Sequence, residues 1–318
     1  MYLDIIREIS LFGPHPGGSK EELEVAKYFK DHIENFCKEV KMERFEYFDM
    51  KGKKKTSVNV IGRIGPDKEK KKIMICTNLD TIRDMDEVSE RWERGEKEVY
   101  DVPHVEGANE PNSAITFLIF LAKSLARIRL KREVLLVAFG AQEEWYGTPA
   151  NTKDASSGLI RRFKRFDYLI GSQHYVMSHG IDDIESVIAI DAVAVGFPKM
   201  VSRDSFGKNT IKQKDLDLET IEILGFRYRV GKRTVGAISC DHLPFRFMKV
   251  PSTWIIATNG YPKERYTLGY VLNHENIPNY GTYRDTFENL LDETTERIVQ
   301  RNFFIISETL RRYLLMKG

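Results

Sequence analysis

The 318-residue sequence predicts a single α/β domain, residues 1–318, with a mixed central β-sheet that carries helices on both faces. Residues 134–139, VLLVAF, are an unbroken apolar run, which is typical of a strand buried on both sides. Residues 112–127 carry apolar side chains at helical spacing. No Pro-, Ser- or Gly-rich linker divides the chain, so one domain is favoured over two.

The amino-terminal third predicts one helix followed by three strands. Ser19 and Glu22 form a capping-box pattern, which predicts a helix from residue 19 to about residue 37. The turn before it contains His15, which we expect to be an exposed loop residue. Runs of β-forming residues then predict strands at 40–48, 58–64 and 72–76, with a lysine-rich hairpin turn between the first two.

Two segments interrupt the predicted alternation of strands and helices. Residues 83–104 are highly charged, and residues 151–184 are basic and irregular, so we expect insertions around both. The remaining predicted elements are strands at 186–190, 226–230 and 251–257, a surface helix at 216–225 and a closing helix at 293–316.

Composition restricts the partners and the compartment. Lys and Arg number 49 against 47 Asp and Glu, and a net charge of +2 gives no indication of nucleic-acid or membrane-surface binding. We expect a soluble, cytoplasmic protein, because no apolar run is long enough to span a bilayer and no signal-peptide pattern occurs. Cys37, Cys76 and Cys240 are scattered, which favours reduced thiols over disulfides or a cysteine zinc site. The 30% charged fraction is a compositional hint of a thermophile.

Carboxylate and amide side chains follow several of the predicted strands, close to the point where each strand ends. In open α/β sheets, ligands bind beyond the carboxyl ends of the strands. Neighbouring carboxylates repel each other unless a cation or a shared proton lies between them. A metal site is therefore predicted. The recurrence of such side chains at several strand ends favours a metal site over a solvated acidic loop. The residues are Asn78, Asp80, Glu110, Glu143, Glu144 and Asp191.

Short motifs, taken in chain order, resemble those of one known family. The apolar strand followed by Glu143-Glu144 and the loop 107–114 are two of them. Together they resemble the di-zinc aminopeptidases, family twenty-eight of the metallopeptidases, which includes bacterial leucyl aminopeptidases and glutamate carboxypeptidases. The resemblance covers nearly the whole chain and implies a zinc-exopeptidase, phosphorylase/hydrolase-like fold. The other motifs are Gly17-Gly18-Ser19, Asn59-Val60-Ile61-Gly62, Asn78-Leu79-Asp80, Ile190-Asp191-Ala192-Val193 and the segment 240–245.

The resemblance implies a role for individual residues. In the family, two zinc ions share a bridging aspartate and a water, and a glutamate is the general base. By position, Glu143 is the implied base and Glu144 a ligand of the second metal. Asp191 is the implied ligand of the first metal, and Asp80 matches the carboxylate that orients a histidine ligand. Glu110 occupies the position of the bridging aspartate.

This sequence departs from the family at the metal ligands themselves. Asn78 and Gly281 occupy the positions of the two histidine ligands, and Glu110 is one methylene longer than aspartate. Because imidazole binds zinc strongly and an amide oxygen does not, the remaining oxygen donors favour Mg²⁺, Mn²⁺ or Ca²⁺. Zinc, the metal implied by the resemblance, would be held weakly or not at all. His274 and His104 are the candidate replacement ligands.

Three further residues are expected to support the ligands or to line the substrate side of the site. These are Asp241, His242 and Tyr280. For Asp241-His242, a capped helix start with a hydrogen-bonded histidine is the alternative. We also expect Asn78, Glu110, Glu144 and Asp191 to converge at one sheet edge. Their charges would have to be compensated by a cation, by a Lys or Arg, or by a raised carboxyl pKa.

Three functions follow as hypotheses. The first is an aminopeptidase-like metallohydrolase with an altered metal site, which acts on the N-terminal residue of a peptide or on another small amide. The second is a catalytically inactive relative that binds a peptide or protein partner in the same cleft. The third is a glutaminyl-cyclase-like acyltransferase, which is disfavoured because its metal needs the histidine replaced by Gly281. Neither a nucleic acid nor a membrane is an expected partner, and the sequence does not determine the oligomeric state.

Overall fold

The computed structural model describes residues 1–49, 51–66, 71–96, 101–144, 147–150, 168–224, 228–230, 233–235, 239–259, 265–267 and 277–317. Both expected insertions, around 83–104 and 151–184, therefore lie partly outside the described residues. Within the first, a helix covers Met85–Glu93, and Arg83 pairs with His104 in an isolated antiparallel bridge.

A mixed sheet forms the centre of the described part of the chain. It contains β1 Glu39–Phe48, β2 Lys54–Ile64, β3 Lys72–Asn78, β4 Glu133–Phe139, β5 Thr148–Pro149, β6 Ile184–Asp191, β7 Phe197–Asp204, β8 Gly207–Lys208 and β9 Thr220–Leu224. After a separate hairpin of β10 Tyr228–Val230 and β11 Arg233–Val235, the sheet is completed by β12 Ser252–Thr258 and β13 Arg265–Thr267. The strand order is β13-β9-β7-β12-β6-β3-β4-β2-β1-β5, with β8 paired to β7.

The middle of this sheet is parallel and buried. Strands β12, β6, β3 and β4 run parallel to one another, whereas β7 and β2 flank them in the antiparallel direction. Every residue of β4 is buried, as expected for a strand covered on both faces. The predicted fold class, α/β with a mixed central sheet, is confirmed.

Helices cover both faces of the sheet. Alternate residues of β3 show this division, because Ile73 and Ile75 pack into one apolar core and Met74 and Cys76 into another. The helices are α1 Tyr2–Ser10, α2 Lys20–Ile33, α3 Met85–Glu93, α4 Asn112–Leu125, α5 Ile170–His179, α6 Gln213–Leu216, α7 Leu243–Phe247, α8 Phe287–Glu293 and α9 Glu296–Met316. The first core is shared with α1, α2, α4 and α9, and the second with α5 and α7. None of the described helices is both long and apolar enough to cross a bilayer.

The structure corrects two local predictions and adds one strand. The surface helix expected at 216–225 is wrong, because Leu216 ends the short helix α6 and Thr220–Leu224 is strand β9, whose buried residues alternate. Strand β7 was not predicted. His15 is fully buried rather than exposed, and its Nδ1 lies 2.7 Å from the carbonyl oxygen of Gly13.

Candidate active site

Parallel pairing brings the ends of three strands to one edge of the sheet. Asn78, the last residue of β3, is paired with Phe139 at the end of β4. On its other side, β3 runs parallel to β6, whose last residue is Asp191. The side chains at these strand ends and in the following loops form the candidate active site. Its position matches the edge where ligands bind in open α/β sheets.

The loop after β4 is held by the carboxylate of Asp80. Asp80 Oδ1 accepts a hydrogen bond from the backbone N–H of Gln142 at 2.7 Å, and Oδ2 accepts one from that of Glu143 at 2.8 Å. The Gln142 side chain donates to Glu143 Oε1 at 2.7 Å. Burial raises the pKa of Asp80 well above its ordinary value, and the charges of Glu22 and Glu143 raise it further. Glu143 is thus fixed through both its backbone and its carboxylate.

A second buried carboxylate, that of Glu22 in α2, holds the same loop one residue earlier. Glu22 Oε1 accepts from the backbone N–H of Ala141 at 2.9 Å, and Oε2 from that of Gly18 at 2.7 Å. The Ser57 hydroxyl also donates to this carboxylate. Ala141 has a φ of 52°, a left-handed conformation that costs free energy in a residue other than glycine. Glu22 therefore stabilises the turn that leads into Glu143.

The capping-box pattern predicts that Glu22 caps its own helix. The Ser19 hydroxyl does accept from the Glu22 backbone N–H at 2.9 Å, so the predicted N-cap of α2 is confirmed. The carboxylate, however, bonds outside its own capping box. Burial raises the pKa of Glu22 to about 7, and the hydrogen bonds from Gly18, Ser57 and Ala141 limit the rise.

Asn78 and Glu110 are joined by a hydrogen bond. Asn78 Nδ2 donates to Glu110 Oε1 at 2.7 Å and to the carbonyl oxygen of Asp80 at 2.9 Å. The backbone N–H groups of Asn109 and Glu110 donate to the Asp285 carboxylate at 2.7 and 3.2 Å. The peptide bond after Glu110 is cis. Asp285, which the sequence does not indicate as a site residue, thus anchors the segment that carries Glu110.

Glu110 lies among other buried carboxylates. Burial raises the pKa of Glu110 well above its ordinary value, and the charges of Asp191 and Glu143 raise it further. Burial, followed by the charge of Glu143, raises the pKa of Asp191 to about 7, although the Tyr280 hydroxyl donates to Asp191 Oδ2 at 3.4 Å. Raised carboxyl pKa values are typical of functional sites. We name the three carboxylates of Glu110, Glu143 and Asp191, together with the amide of Asn78, the carboxylate cluster.

Glu144 has different charged neighbours. Its Oε2 lies 3.7 Å from Lys55 Nζ. Burial raises the pKa of Glu144, whereas the charges of Arg83 and Lys55 lower it. Gly17 packs so closely against this side chain that a Cβ there would come within 2.5 Å of Glu144 Cγ. The main charged neighbours of Glu144 are thus cations outside the carboxylate cluster.

Asp241 and His242 belong to two different networks. Asp241 Oδ1 accepts from the Ser172 hydroxyl at 2.5 Å. Burial raises the pKa of Asp241 well above its ordinary value, and charges of the carboxylate cluster add to the rise. His242 Nε2 lies 2.9 Å from Asn209 Oδ1 and 3.3 Å from Asp204 Oδ2. The geometry therefore relates Asp241 to the cluster and His242 to a separate buried network.

Of the two candidate replacement histidines, only His104 lies within the described residues. His104 Nδ1 is hydrogen-bonded to the carbonyl oxygen of Thr81. Burial, followed by the charge of Arg83, lowers the pKa of His104 to about 3, so its imidazole is neutral at physiological pH. His274 lies outside the described residues.

Gly281 faces an apolar surface. It has a φ of 67°, a backbone conformation that residues other than glycine rarely adopt. The atoms nearest to a Cβ at this position would be Met85 Cγ at 3.4 Å and Ile82 Cγ2 at 3.5 Å. A side chain at residue 281 would therefore start toward Ile82 and Met85.

The residues present do not fit a zinc pair. Among the residues described, no group of three or more His, Cys, Asp or Glu is arranged to hold a metal ion. Asn78 Oδ1, Glu110 Oε2 and Asp191 Oδ1 are buried oxygens that accept no hydrogen bond. Amide and carboxylate oxygens are typical ligands of Mg²⁺, Mn²⁺ and Ca²⁺.

Comparison with known proteins identifies the family. Residues 59–305 match the model of Peptidase family M28. The chain belongs to this family. The matched range includes the whole carboxylate cluster and the position of Gly281. No curated protein matches the chain.

Several solved structures share the fold of this chain at low sequence identity. A leucine aminopeptidase precursor from Bacteroides thetaiotaomicron matches with a TM-score of 0.65 and 16% identity, over 98% of this chain and 95% of that one. A glutaminyl cyclase from Porphyromonas gingivalis matches with a TM-score of 0.68 and 16% identity, over 100% of this chain and 97% of that one. An aminopeptidase from Aneurinibacillus sp. strain AM-1 gives 0.60 and 15%, over 98% and 93%. At these identities the likeness shows the fold alone.

Proposed function

We propose that this M28 member hydrolyses the amide bond after the N-terminal residue of a peptide, or the bond of another small amide, with a hard divalent cation in place of a zinc pair. The observation that carries the proposal is the set of three buried acceptor oxygens, Asn78 Oδ1, Glu110 Oε2 and Asp191 Oδ1, at the carboxyl edge of the sheet. These residues would hold the cation. When bound, it would polarise the scissile carbonyl and make a water more acidic.

The chain's own residues supply the proton transfer. Glu143 is the proposed general base, which accepts a proton from the attacking water and passes it to the leaving amine. Asp80 fixes its backbone and Gln142 its carboxylate, so little reorganisation is needed at the moment of reaction. Because Glu143 is 7% exposed, the transfer would occur largely out of bulk water.

A divalent-ion panel on chelator-treated protein tests the proposal. Aminoacyl p-nitroanilides and short peptides are offered with Mn²⁺, Mg²⁺, Ca²⁺ or Zn²⁺ and release of the product is followed. We expect activity with at least one oxygen-preferring cation, and a loss of at least about 100-fold in Glu143→Gln, because a general base contributes about that much. Glu24→Gln, on the surface of α2, is the matched control and should keep full activity. Absence of turnover with every ion would contradict the proposal.

A non-catalytic peptide-binding relative is the second candidate. It is favoured by the way Asn78 uses its amide, which donates to Glu110 and to the Asp80 carbonyl and so stabilises the cluster without a metal. Under this alternative, peptides protect the chain against thermal unfolding, no product appears, and Glu143→Gln binds as well as the unchanged protein.

A glutaminyl-cyclase-like activity is the third candidate, because several similar folds belong to proteins described as glutaminyl cyclases. Peptides with N-terminal glutamine form a separate arm of the assay. Formation of pyroglutamate without release of the first residue would favour this activity over hydrolysis.

A further inference from the structure

A second concave site lies on the helical layer, and its lining shares no residue with the carboxylate cluster. A cavity of about 470 Å³ opens between α1, α4 and the end of α2. Its floor includes the aromatic side chains of Tyr2, Phe36 and Phe120. The rings of Tyr2 and Phe120 meet edge to face with centroids 5.3 Å apart. The volume falls in the range of small-molecule sites, about 300 to 1,000 Å³.

The rim of this cavity is positively charged. Lys123 and Arg127 line it together with Phe120. Spacings of three and four residues put these side chains on the same side of α4 and its last turn. Both cations are exposed, and neither forms an ion pair with any residue in the described ranges. Two like charges at this spacing repel each other, so an anion between them would be stabilised.

We propose that this cavity binds an amphipathic monocarboxylate, that is, a carboxylic acid with an aliphatic or aromatic tail. The carboxylate pairs with Lys123 and Arg127, and the tail lies on Tyr2, Phe36 and Phe120. The positive charge of the rim favours an anion. The apolar floor favours a ligand that also carries an apolar tail. This inference is independent of the proposed hydrolase activity, because no residue is shared between the two sites.

Calorimetric titration of the full chain with decanoate, below its micelle concentration, tests the proposal. Decan-1-ol is the probe that lacks the charge, and acetate is the probe that lacks the tail. We expect one saturable site for decanoate, binding of decan-1-ol at least about tenfold weaker, and no measurable binding of acetate.

Charge reversal provides the matched comparison. Lys123→Glu/Arg127→Glu should weaken decanoate binding at least about tenfold. Arg129→Glu/Lys131→Glu makes the same change in net charge at nearby exposed residues outside the cavity lining, and should retain binding within about twofold. Thermal melts verify that both variants fold.

Four results would overturn the proposal. They are absence of saturable decanoate binding, equal binding of decan-1-ol, an unchanged affinity in Lys123→Glu/Arg127→Glu, and an equal loss in both double variants. The last would show a general effect of net charge rather than a site. A fifth contradicting result would be self-association of the chain through this face in place of decanoate binding.

Discussion

The backbone N–H of Glu143 donates to Asp80 Oδ2 at 2.8 Å, which ties the implied general base to the strand that precedes it in the sheet. Asp80 follows β3 and Glu143 follows β4, and these two strands are parallel neighbours. The same carboxylate also accepts from Gln142, so two consecutive backbone groups have one buried anchor. The position of Glu143 therefore depends on Asp80 as directly as on its own strand.

Asp80→Asn should destabilise the protein. An asparagine keeps one acceptor oxygen but turns an NH₂ group toward a backbone N–H, which leaves a buried donor unsatisfied at a cost of about 1 to 3 kcal/mol. Urea denaturation measures the change. Asp49→Asn is the control, because Asp49 also accepts two backbone N–H groups but in an exposed turn, and it should cost less than about 1 kcal/mol. Equal costs for both variants would contradict the anchoring role.

Glu22→Gln should flatten the dependence of stability on pH. The pKa of Glu22 is about 7 in the folded protein against an ordinary value of 4.5. The folded state therefore holds a proton that the unfolded state has lost, and the free energy of unfolding falls as pH rises from about 4.5 to about 7. At about 1.4 kcal/mol per pKa unit, Glu22 accounts for up to about 3 kcal/mol of this fall.

Urea denaturation at intervals across this pH range measures the slope. Other buried carboxylates titrate in the same range, so Glu22→Gln should reduce the slope without abolishing it. Glu21→Gln removes the neighbouring carboxylate in the first turn of α2 and is the matched control. If the two variants behave alike, the proton is not held by Glu22.

The sequence predicts the location of the site better than its detailed geometry. Parallel buried strands can be recognised from continuous apolar runs, and their carboxyl ends must share an edge, so Asn78, Glu143 and Asp191 could be placed together in advance. Helix α2 could likewise be predicted, because its Ser19 cap is recognised from residues that are close together in the sequence.

Contacts between distant segments could not be predicted in the same way. Glu22 has the spacing of a capping box, and only the packing of α2 beside the β4 loop directs its carboxylate to Ala141. Glu144 is adjacent to Glu143, yet its main charged neighbours are Lys55 and Arg83. The segment that forms strand β9 predicts a helix, because a short apolar run does not distinguish the two structures.

Glu110→Gln should raise the stability of chelator-treated protein at neutral pH. Asn78 can still donate to the amide oxygen, and the new NH₂ replaces a carboxylate oxygen that is repelled by Asp191 and Glu143. We expect a gain of about 1 kcal/mol or more, measured as a higher Tm. Added Mn²⁺ or Ca²⁺ should stabilise the unchanged protein more than the variant. A lower Tm in Glu110→Gln would mean that the cluster is already neutralised by the protein.

Restoring a histidine should affect zinc binding at residue 78 but not at residue 281. Asn78→His puts an imidazole next to Glu110 and should tighten zinc binding. Gly281→His imposes a side chain on a left-handed backbone and starts it toward Ile82 and Met85, so it should cost about 1 to 3 kcal/mol and add no zinc affinity. Zinc titrations and thermal melts of both variants measure this. Tight zinc binding in Gly281→His alone would contradict the described geometry.

The carboxylate cluster is proposed to hold an oxygen-preferring cation instead of a zinc pair, and a metal count tests this claim most directly. Protein purified without chelator is dialysed and analysed for metals, and chelator-treated protein is titrated with Mn²⁺, Ca²⁺ and Zn²⁺. We predict less than two equivalents of zinc after dialysis and a saturable Mn²⁺ or Ca²⁺ site that is lost in Asp191→Asn. Two equivalents of zinc per chain, retained through dialysis and insensitive to Asp191→Asn, would contradict the claim.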